Sequence, residues 1–117
     1  MTAAENTELS EADQCCTGTP PIDSEALAAD IRVLSAVSND TRYELLRRIA
    51  NAGDGVCVCD LEASVEVSQS AVSQALSRLY SAGLVSRRKE GSWRYYESTG
   101  TAETLLATLD DLRGTDE

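Results

Sequence analysis

The sequence predicts a mainly α-helical fold with one β-hairpin, in the element order ααααββα. Apolar side chains recur at intervals of three and four residues in several segments, which is typical of helices that bury one face. Near the carboxyl end, two short runs rich in aromatic, basic and β-branched residues flank Glu90-Gly91-Ser92, which indicates a hairpin turn. A length of 117 residues predicts a single domain. Because the chain contains no phenylalanine, we expect its core to be aliphatic.

An acidic arm is expected to precede the first helix. Residues 1–22 are polar and end in Pro20 and Pro21, so we expect a flexible arm, a folded domain over 23–113 and a tail over 114–117. Ser24 can cap the first helix, because its hydroxyl can accept a backbone N–H of the first turn. The apolar stripe of this helix consists of Leu27, Ile31 and Leu34.

The second and third helices are expected on either side of a glycine-containing loop. Ser38 or Asn39 can cap a second helix over residues 40–50. Its inward-facing side chains are expected to be Leu45, Leu46 and Ile49. The loop is expected over 51–55, and a short third helix then starts near Asp60 and ends before Glu66.

The fourth helix is predicted to have two chemically different faces. Ser68 is its expected N-cap, and Gly83 is expected to follow its carboxyl end. Short hydrogen-bonding side chains lie opposite an apolar stripe formed by Val72, Leu76 and Leu79. Thr101 can cap the last helix, whose apolar residues are Leu105, Leu106, Leu109 and Leu112.

Charge is distributed unevenly along the chain. The net charge is −10, but residues 1–30 hold seven acids and no base, whereas residues 68–96 hold five bases and one acid. Affinity for phosphate depends on the surface that faces it, so this basic segment is compatible with DNA binding. No apolar run reaches the roughly 18 residues of a membrane span, and the first residues are acidic, so we expect a cytoplasmic protein.

A short helix, a tight turn and a helix with a small, polar outer face predict a helix-turn-helix, with the hairpin as its wing. Ser and Gln are short enough to reach base edges in a major groove, and the hairpin cations suit phosphates or a minor groove. The alternative is an ordinary solvated helix beside a charged hairpin, which this order of elements disfavours. The candidate DNA-binding residues are Ser68, Gln69, Ser70, Ser73, Gln74 and Arg78 on the helix and Arg87, Arg88, Lys89 and Arg94 on the hairpin.

The four cysteines form two close pairs, Cys15-Cys16 and Cys57-Val58-Cys59. In the cytoplasm they are expected to be thiols, and two adjacent thiolates suit a soft ion such as arsenic(III), antimony(III), cadmium or lead. The alternative is that they are small buried hydrophobic residues, since free cysteine is often buried. The absence of histidine excludes imidazole metal sites and Ser-His or Cys-His catalysis, so no enzyme is expected.

Four segments together resemble the ArsR/SmtB family of metalloregulatory repressors. They are residues 34–42, 56–61, 67–73 and 82–96, and the resemblance extends over about residues 25–112. It implies a winged helix-turn-helix dimer formed by the first and last helices, an operator with dyad symmetry, and repression relieved by an inducer. Ala75 departs from the family pattern, which often has histidine there, and this difference can alter base preference.

The Cys-Val-Cys segment resembles the inducer sites of the arsenic-sensing branch of the family and, second, of the CadC branch that senses cadmium and lead. The simplest arsenic sensors carry a third cysteine where this chain has Glu62, and a carboxylate is a poor ligand for arsenic(III). The resemblance implies that the arm supplies the missing sulfur, from its own or the other subunit, unless its pair is a bystander. The candidate ligands are Cys57, Cys59, Cys15 and Cys16. The zinc site of other members needs histidine on the last helix and is expected to be absent.

We therefore predict a repressor of an arsenic resistance operon that needs no cofactor to bind DNA. It should leave its operator when arsenite or antimonite binds the cysteine thiolates. A cadmium- or lead-responsive repressor of an efflux system and a thiol redox switch are the alternatives. A thiol enzyme is not supported, because the chain has no Cys-x-x-Cys motif and no catalytic base.

Overall fold

Five helices and three strands lie within residues 16–114, the part of the chain that the computed structural model describes. In chain order they are α1 (Ser24–Val37), α2 (Asp40–Ala52), β1 (Val56–Cys57), α3 (Val58–Ser64), α4 (Gln69–Ser81), β2 (Val85–Glu90), β3 (Trp93–Ser98) and α5 (Gly100–Gly114). The winged helix-turn-helix prediction is confirmed, and β1 is an addition to the predicted order. Within residues 16–114, no helix combines the length and the apolar character that crossing a membrane would require.

The three strands form one antiparallel sheet in the order β1-β3-β2. Strands β2 and β3 are the predicted hairpin, called the wing below. Strand β1 pairs Val56 with Tyr96 and Cys57 with Tyr95, so the segment that carries the thiols is hydrogen-bonded to the wing. The sequence did not predict this connection, because a strand of two residues has no alternation to detect.

Helices α1 and α2 begin close to their predicted starts. Asp23, one residue before Ser24, caps α1 by accepting the backbone N–H of Glu25. Asn39 caps α2, as predicted, and the helix continues to Ala52, two residues beyond its predicted end. The loop before β1 is correspondingly shorter than predicted.

Two further boundaries also differ from the prediction. Helix α3 begins at Val58, two residues before Asp60. Thr99, not Thr101, caps α5, because its hydroxyl accepts the N–H of Ala102 at 3.3 Å and donates to a carbonyl oxygen at 2.7 Å. That carbonyl belongs to the turn between α4 and β2, so this cap ties the end of the wing to the end of α4.

The core lies where α2 and α4 pack against each other and against the sheet. Its fully buried side chains include the predicted stripes of both helices: Leu45, Leu46, Ile49, Val72, Leu76 and Leu79. Burying one such aliphatic side chain stabilises the fold by roughly 1.5–3 kcal/mol. The core therefore fixes which face of α4 remains in solvent.

Arg47 of α2 connects the core to α5. Its guanidinium lies 2.9 Å from a carboxylate oxygen of Asp110 and donates to the carbonyl of Leu106 at 3.4 Å. The hydrogen bond from Arg47 lowers the pKa of Asp110, although burial acts in the opposite direction. Helix α5 is thus held to α2 by a polar contact as well as by apolar packing.

Candidate DNA interface and thiol site

Helix α4, the recognition helix of the helix-turn-helix, presents a polar face to solvent from its first turn onward. Ser68 is its N-cap, as predicted, because its hydroxyl oxygen accepts the N–H of Ala71 at 3.1 Å. The six predicted residues of this surface are all exposed: Ser68, Gln69, Ser70, Ser73, Gln74 and Arg78. Ala75 is only 6% exposed and lies on the core side, so its short side chain is not part of this exposed polar face.

A side-chain hydrogen bond joins α3 to the recognition helix on their outer side. The amide nitrogen Nε2 of Gln69 donates to Oε1 of Glu62 at 3.2 Å. Leu61 and Val65, on either side of Glu62 in the chain, are buried in the core that α3 shares with α4. The first residue of α4 is therefore held by a carboxylate that lies three positions after Cys59.

The wing carries its cations on two different faces. Side chains alternate along a strand, so Arg87 and Lys89 share one face of β2 and Arg88 lies on the other. Lys89 is paired directly with Arg94 of β3, and within residues 16–114 neither has an ion pair with an acid. Like charges directly opposite each other destabilise a strand pair. This pair of cations therefore favours a bound anion.

Arg87 contacts the recognition helix. Its guanidinium carbon lies 4.0 Å from the ring centroid of Tyr80, within range of a cation–π interaction. Tyr80 is in the last turn of α4 and is 43% exposed. This tyrosine is not among the residues that the sequence predicts to contact DNA. The sequence feature that could have identified Tyr80 is its position: it is an aromatic residue outside the apolar stripe, close to the carboxyl end of the helix.

Arg88 has a different environment from the other wing cations. Its Nε lies 2.8 Å from Glu90 and its Nη1 lies 3.5 Å from Glu97, with the guanidinium carbon 5.2 Å from the ring centroid of Tyr95. The hydrogen bond to Glu90 raises the pKa of Arg88 further. Two carboxylates thus neutralise Arg88 within the hairpin. Its phosphate contact stays a prediction, and this pairing disfavours it.

Cys57 and Cys59 converge at the start of α3. Their sulfurs are 2.8 Å apart, with Cys57 6% exposed and Cys59 in solvent. Cys57 is also the N-cap of α3, since its sulfur accepts the N–H of Cys59 at 3.4 Å. The hydrogen bond to Cys57, with a smaller contribution from burial, raises the pKa of the Cys59 thiol. A thiol must lose its proton to become a ligand, so capture of a soft ion here would release protons.

The described residues supply two sulfurs to this site. Within residues 16–114, no group of three or more cysteine, aspartate or glutamate side chains is arranged to hold a metal ion. Cys16 is exposed in the segment before α1, and Cys15 lies outside the described residues. Glu62, at the position of the third cysteine of the simplest arsenic sensors, is bonded to Gln69 instead. Completion of the site by Cys15 or Cys16 stays a prediction.

Apolar side chains of α1 remain on the surface of the single chain. Leu27, Ile31 and Leu34 are 45%, 55% and 58% exposed, although the sequence predicts them as the apolar stripe of this helix. A groove of about 830 Å³ lies between α1 and α5, with Leu34 and Leu105 among its lining residues. A contiguous exposed apolar surface of this kind marks an interaction site.

Both the sequence and the fold are similar to those of known regulatory proteins. Residues 39–87 match the family described as "Bacterial regulatory protein, arsR family". A protein of Halobacterium salinarum, provisionally named arsenical resistance operon repressor ArsR2, is 72% identical over 109 residues. The alignment covers 93% of this chain and 92% of that protein.

Solved structures with the same fold include NolR from Sinorhizobium fredii. It superposes with a TM-score of 0.71 at 30% identity, covering 82% of this chain and 98% of NolR. A domain of Mb0332 from Mycobacterium bovis, described as a homodimeric winged helix-turn-helix DNA-binding domain, gives a TM-score of 0.70 at 26% identity. That comparison covers 78% of this chain and 83% of the domain.

Proposed function

The chain belongs to the ArsR family of bacterial regulatory proteins, and from this premise we propose that it is a homodimeric, arsenite- or antimonite-responsive repressor of an arsenic resistance operon. The observation that carries the proposal is the pair of adjacent sulfurs at the start of α3, immediately before the recognition helix. The name of the Halobacterium relative supports the arsenical inducer.

The proposed DNA surface combines the polar face of α4 with one face of the wing. A recognition helix reads base edges with the residues of its first turns, and cations beside it bind phosphate. We assign base reading to Gln69, Ser70, Ser73 and Gln74, which are exposed on α4, with Ser68 and Arg78 near the two ends of the helix. Arg87, Lys89 and Arg94 share the wing face that favours an anion, so we assign phosphate binding to them.

The proposed dimer interface is the apolar surface of α1 and α5. In a symmetric dimer, two recognition helices can enter successive major grooves only if they lie about 34 Å apart. Pairing through Leu27, Ile31 and Leu34 would bury these exposed side chains and leave α4 and the wing free. The homodimeric state of the Mycobacterium domain supports this arrangement.

The proposed inducer site uses Cys57 and Cys59, completed by a sulfur of Cys15 or Cys16. Arsenic(III) bound to these thiolates would fix the positions of the sulfurs relative to one another. Cys57 lies at the junction of β1, which pairs with the wing, and α3, which is bonded to α4 through Glu62. A displacement of its sulfur would remove the cap of α3 and disturb both halves of the DNA surface. With only two described sulfurs, cadmium and lead remain the alternative ions.

A thiol redox switch is the second candidate, because the two sulfurs are already 2.8 Å apart. A peroxide would take two electrons and two protons from the two thiols, leaving a Cys57–Cys59 disulfide and, from hydrogen peroxide, two molecules of water. This switch would respond to oxidant without any metal.

Operator release distinguishes these candidates. A duplex selected from a randomised library by the protein would be titrated with arsenite, antimonite, cadmium, lead and hydrogen peroxide, with fluorescence anisotropy as the readout. We expect release by arsenite and antimonite in the wild type and in none of the single variants Cys57→Ser and Cys59→Ser. Reduced sensitivity in Cys15→Ser or Cys16→Ser would support the arm as third ligand. Arsenite release that survives the loss of Cys57 or Cys59 would contradict the proposed inducer site.

A further inference from the structure

The bond between Glu62 and Gln69 constrains a side chain that faces DNA. Gln69 is the first residue of α4, and residues at the start of a recognition helix contact base edges. Its amide is exposed and would be free to rotate without a partner. Glu62, on the preceding helix, is half-buried as a residue, whereas Gln69 is exposed.

We propose that Glu62 is a positioning residue that sets the base preference of Gln69. A carboxylate can only accept hydrogen bonds, so the NH2 group of the Gln69 amide must face it. The amide carbonyl and the second N–H then point away from Glu62. One acceptor beside one donor is the combination that matches N6 and N7 of adenine in the major groove. Glu62 therefore selects adenine at one base pair of each half-site without touching DNA.

The inference rests on the proposed function only in requiring that α4 reads bases. It does not depend on arsenite, so the test is made on the wild-type dimer and its variants without any inducer. Selection from a randomised duplex library, followed by sequencing, gives the preference of each protein at every base pair. Failure of the wild type to select any sequence would overturn this inference together with the proposed DNA-binding function.

Four variants separate positioning from charge and from folding. Glu62→Ala should reduce the preference for adenine at one base pair by about fivefold or more, the lower end of the discrimination by a good base contact. Glu62→Gln keeps an acceptor oxygen without the charge and should retain most of the preference. Gln69→Ala should lose the same preference as Glu62→Ala. Glu66→Ala is the matched control, because Glu66 is an exposed acid of the same connection and has no hydrogen bond or ion pair within the described residues.

The double variant Glu62→Ala/Gln69→Ala tests whether Glu62 acts through Gln69. If Glu62 acts through Gln69, the double variant has the profile of Gln69→Ala alone. An unaltered profile in Glu62→Ala would overturn the inference, as would a further loss of preference in the double variant. Equal strengthening of binding to all sequences in Glu62→Ala, Glu62→Gln and Glu66→Ala, without a change in preference, would also overturn it, because it would show that only the negative charge of these residues matters.

Discussion

Replacing Cys57 by serine should abolish release by arsenite while leaving the fold and DNA binding intact. The change removes one proposed ligand, but the serine hydroxyl can accept the N–H of Cys59 that the sulfur accepts in the wild type. Serine is among the preferred N-cap residues, so α3 keeps its cap. The variant thus isolates the ligand role of this side chain from its structural role.

Cys57→Ala removes the ligand and the cap together. Loss of a side-chain cap costs about 0.5–2 kcal/mol, and a thiol is a weak acceptor, so the lower end applies to this site. For a domain of this size each kcal/mol lowers Tm by roughly 4–8 °C, which places Cys57→Ala about 2–4 °C below Cys57→Ser. The truncated side chain also leaves a small space beside a position that is 6% exposed, which adds to the loss.

Circular dichroism during heating gives Tm for the wild type and both variants, at one protein concentration because Tm of a dimer depends on it. Anisotropy of a labelled, selected duplex gives DNA affinity and arsenite release for the same preparations. Arsenite release by Cys57→Ser at the wild-type concentration would refute the ligand role. Equal Tm values for the two variants would refute the capping role.

Three further predictions concern other parts of the surface. Lys89→Ala should weaken binding to all duplexes and reduce the dependence of the affinity on salt concentration. Arg88→Ala should change this salt dependence little, because the Arg88 guanidinium is already paired with Glu90 and Glu97. A larger change in salt dependence for Arg88→Ala than for Lys89→Ala would contradict the assignment of the wing faces. Ile31→Glu should give a monomer by analytical ultracentrifugation, because it places a charge in the proposed interface, and a persistent dimer would locate that interface elsewhere. Asp110→Asn should lower Tm at neutral pH, because a carboxyl whose pKa is lowered on folding stabilises the fold at pH values above its pKa in the unfolded chain. The difference in Tm between the variant and the wild type should narrow as the pH falls below about 4, where the carboxylate becomes protonated. A difference in Tm that does not change with pH would exclude the ion pair with Arg47 as its cause.

Most of the helices could be predicted from the sequence because their stripes are local. Leu45, Leu46 and Ile49 recur on one face within two turns, and burial of that face needs no knowledge of the rest of the chain. Ser68 and Asn39 were likewise recognisable as caps from their positions before such stripes. Thr99 was missed because two threonines are available and its choice depends on a carbonyl 16 residues away.

Features that depend on pairing between distant segments could not be predicted from local sequence patterns. Strand β1 exists because Val56 and Cys57 meet a strand almost 40 residues later in the chain. The separate position of Arg88 follows from alternation along β2, but its pairing with Glu97 depends on the register of the hairpin. The bond from Glu62 to Gln69 depends on the angle between two helices, which composition and spacing do not specify.

Cys57 is part of the sheet through its backbone and of α3 through its sulfur. DNA that immobilises the wing and the recognition helix would therefore also restrain Cys57. Coupling free energies are reciprocal, so under the proposed function the operator would lower the affinity for arsenite by the same factor by which arsenite would lower the affinity for the operator. Repressor that is free in the cell would then capture arsenite before repressor that is on DNA. An excess of free dimer over operator sites would act as a buffer, and it would set a threshold concentration below which the operon stays silent.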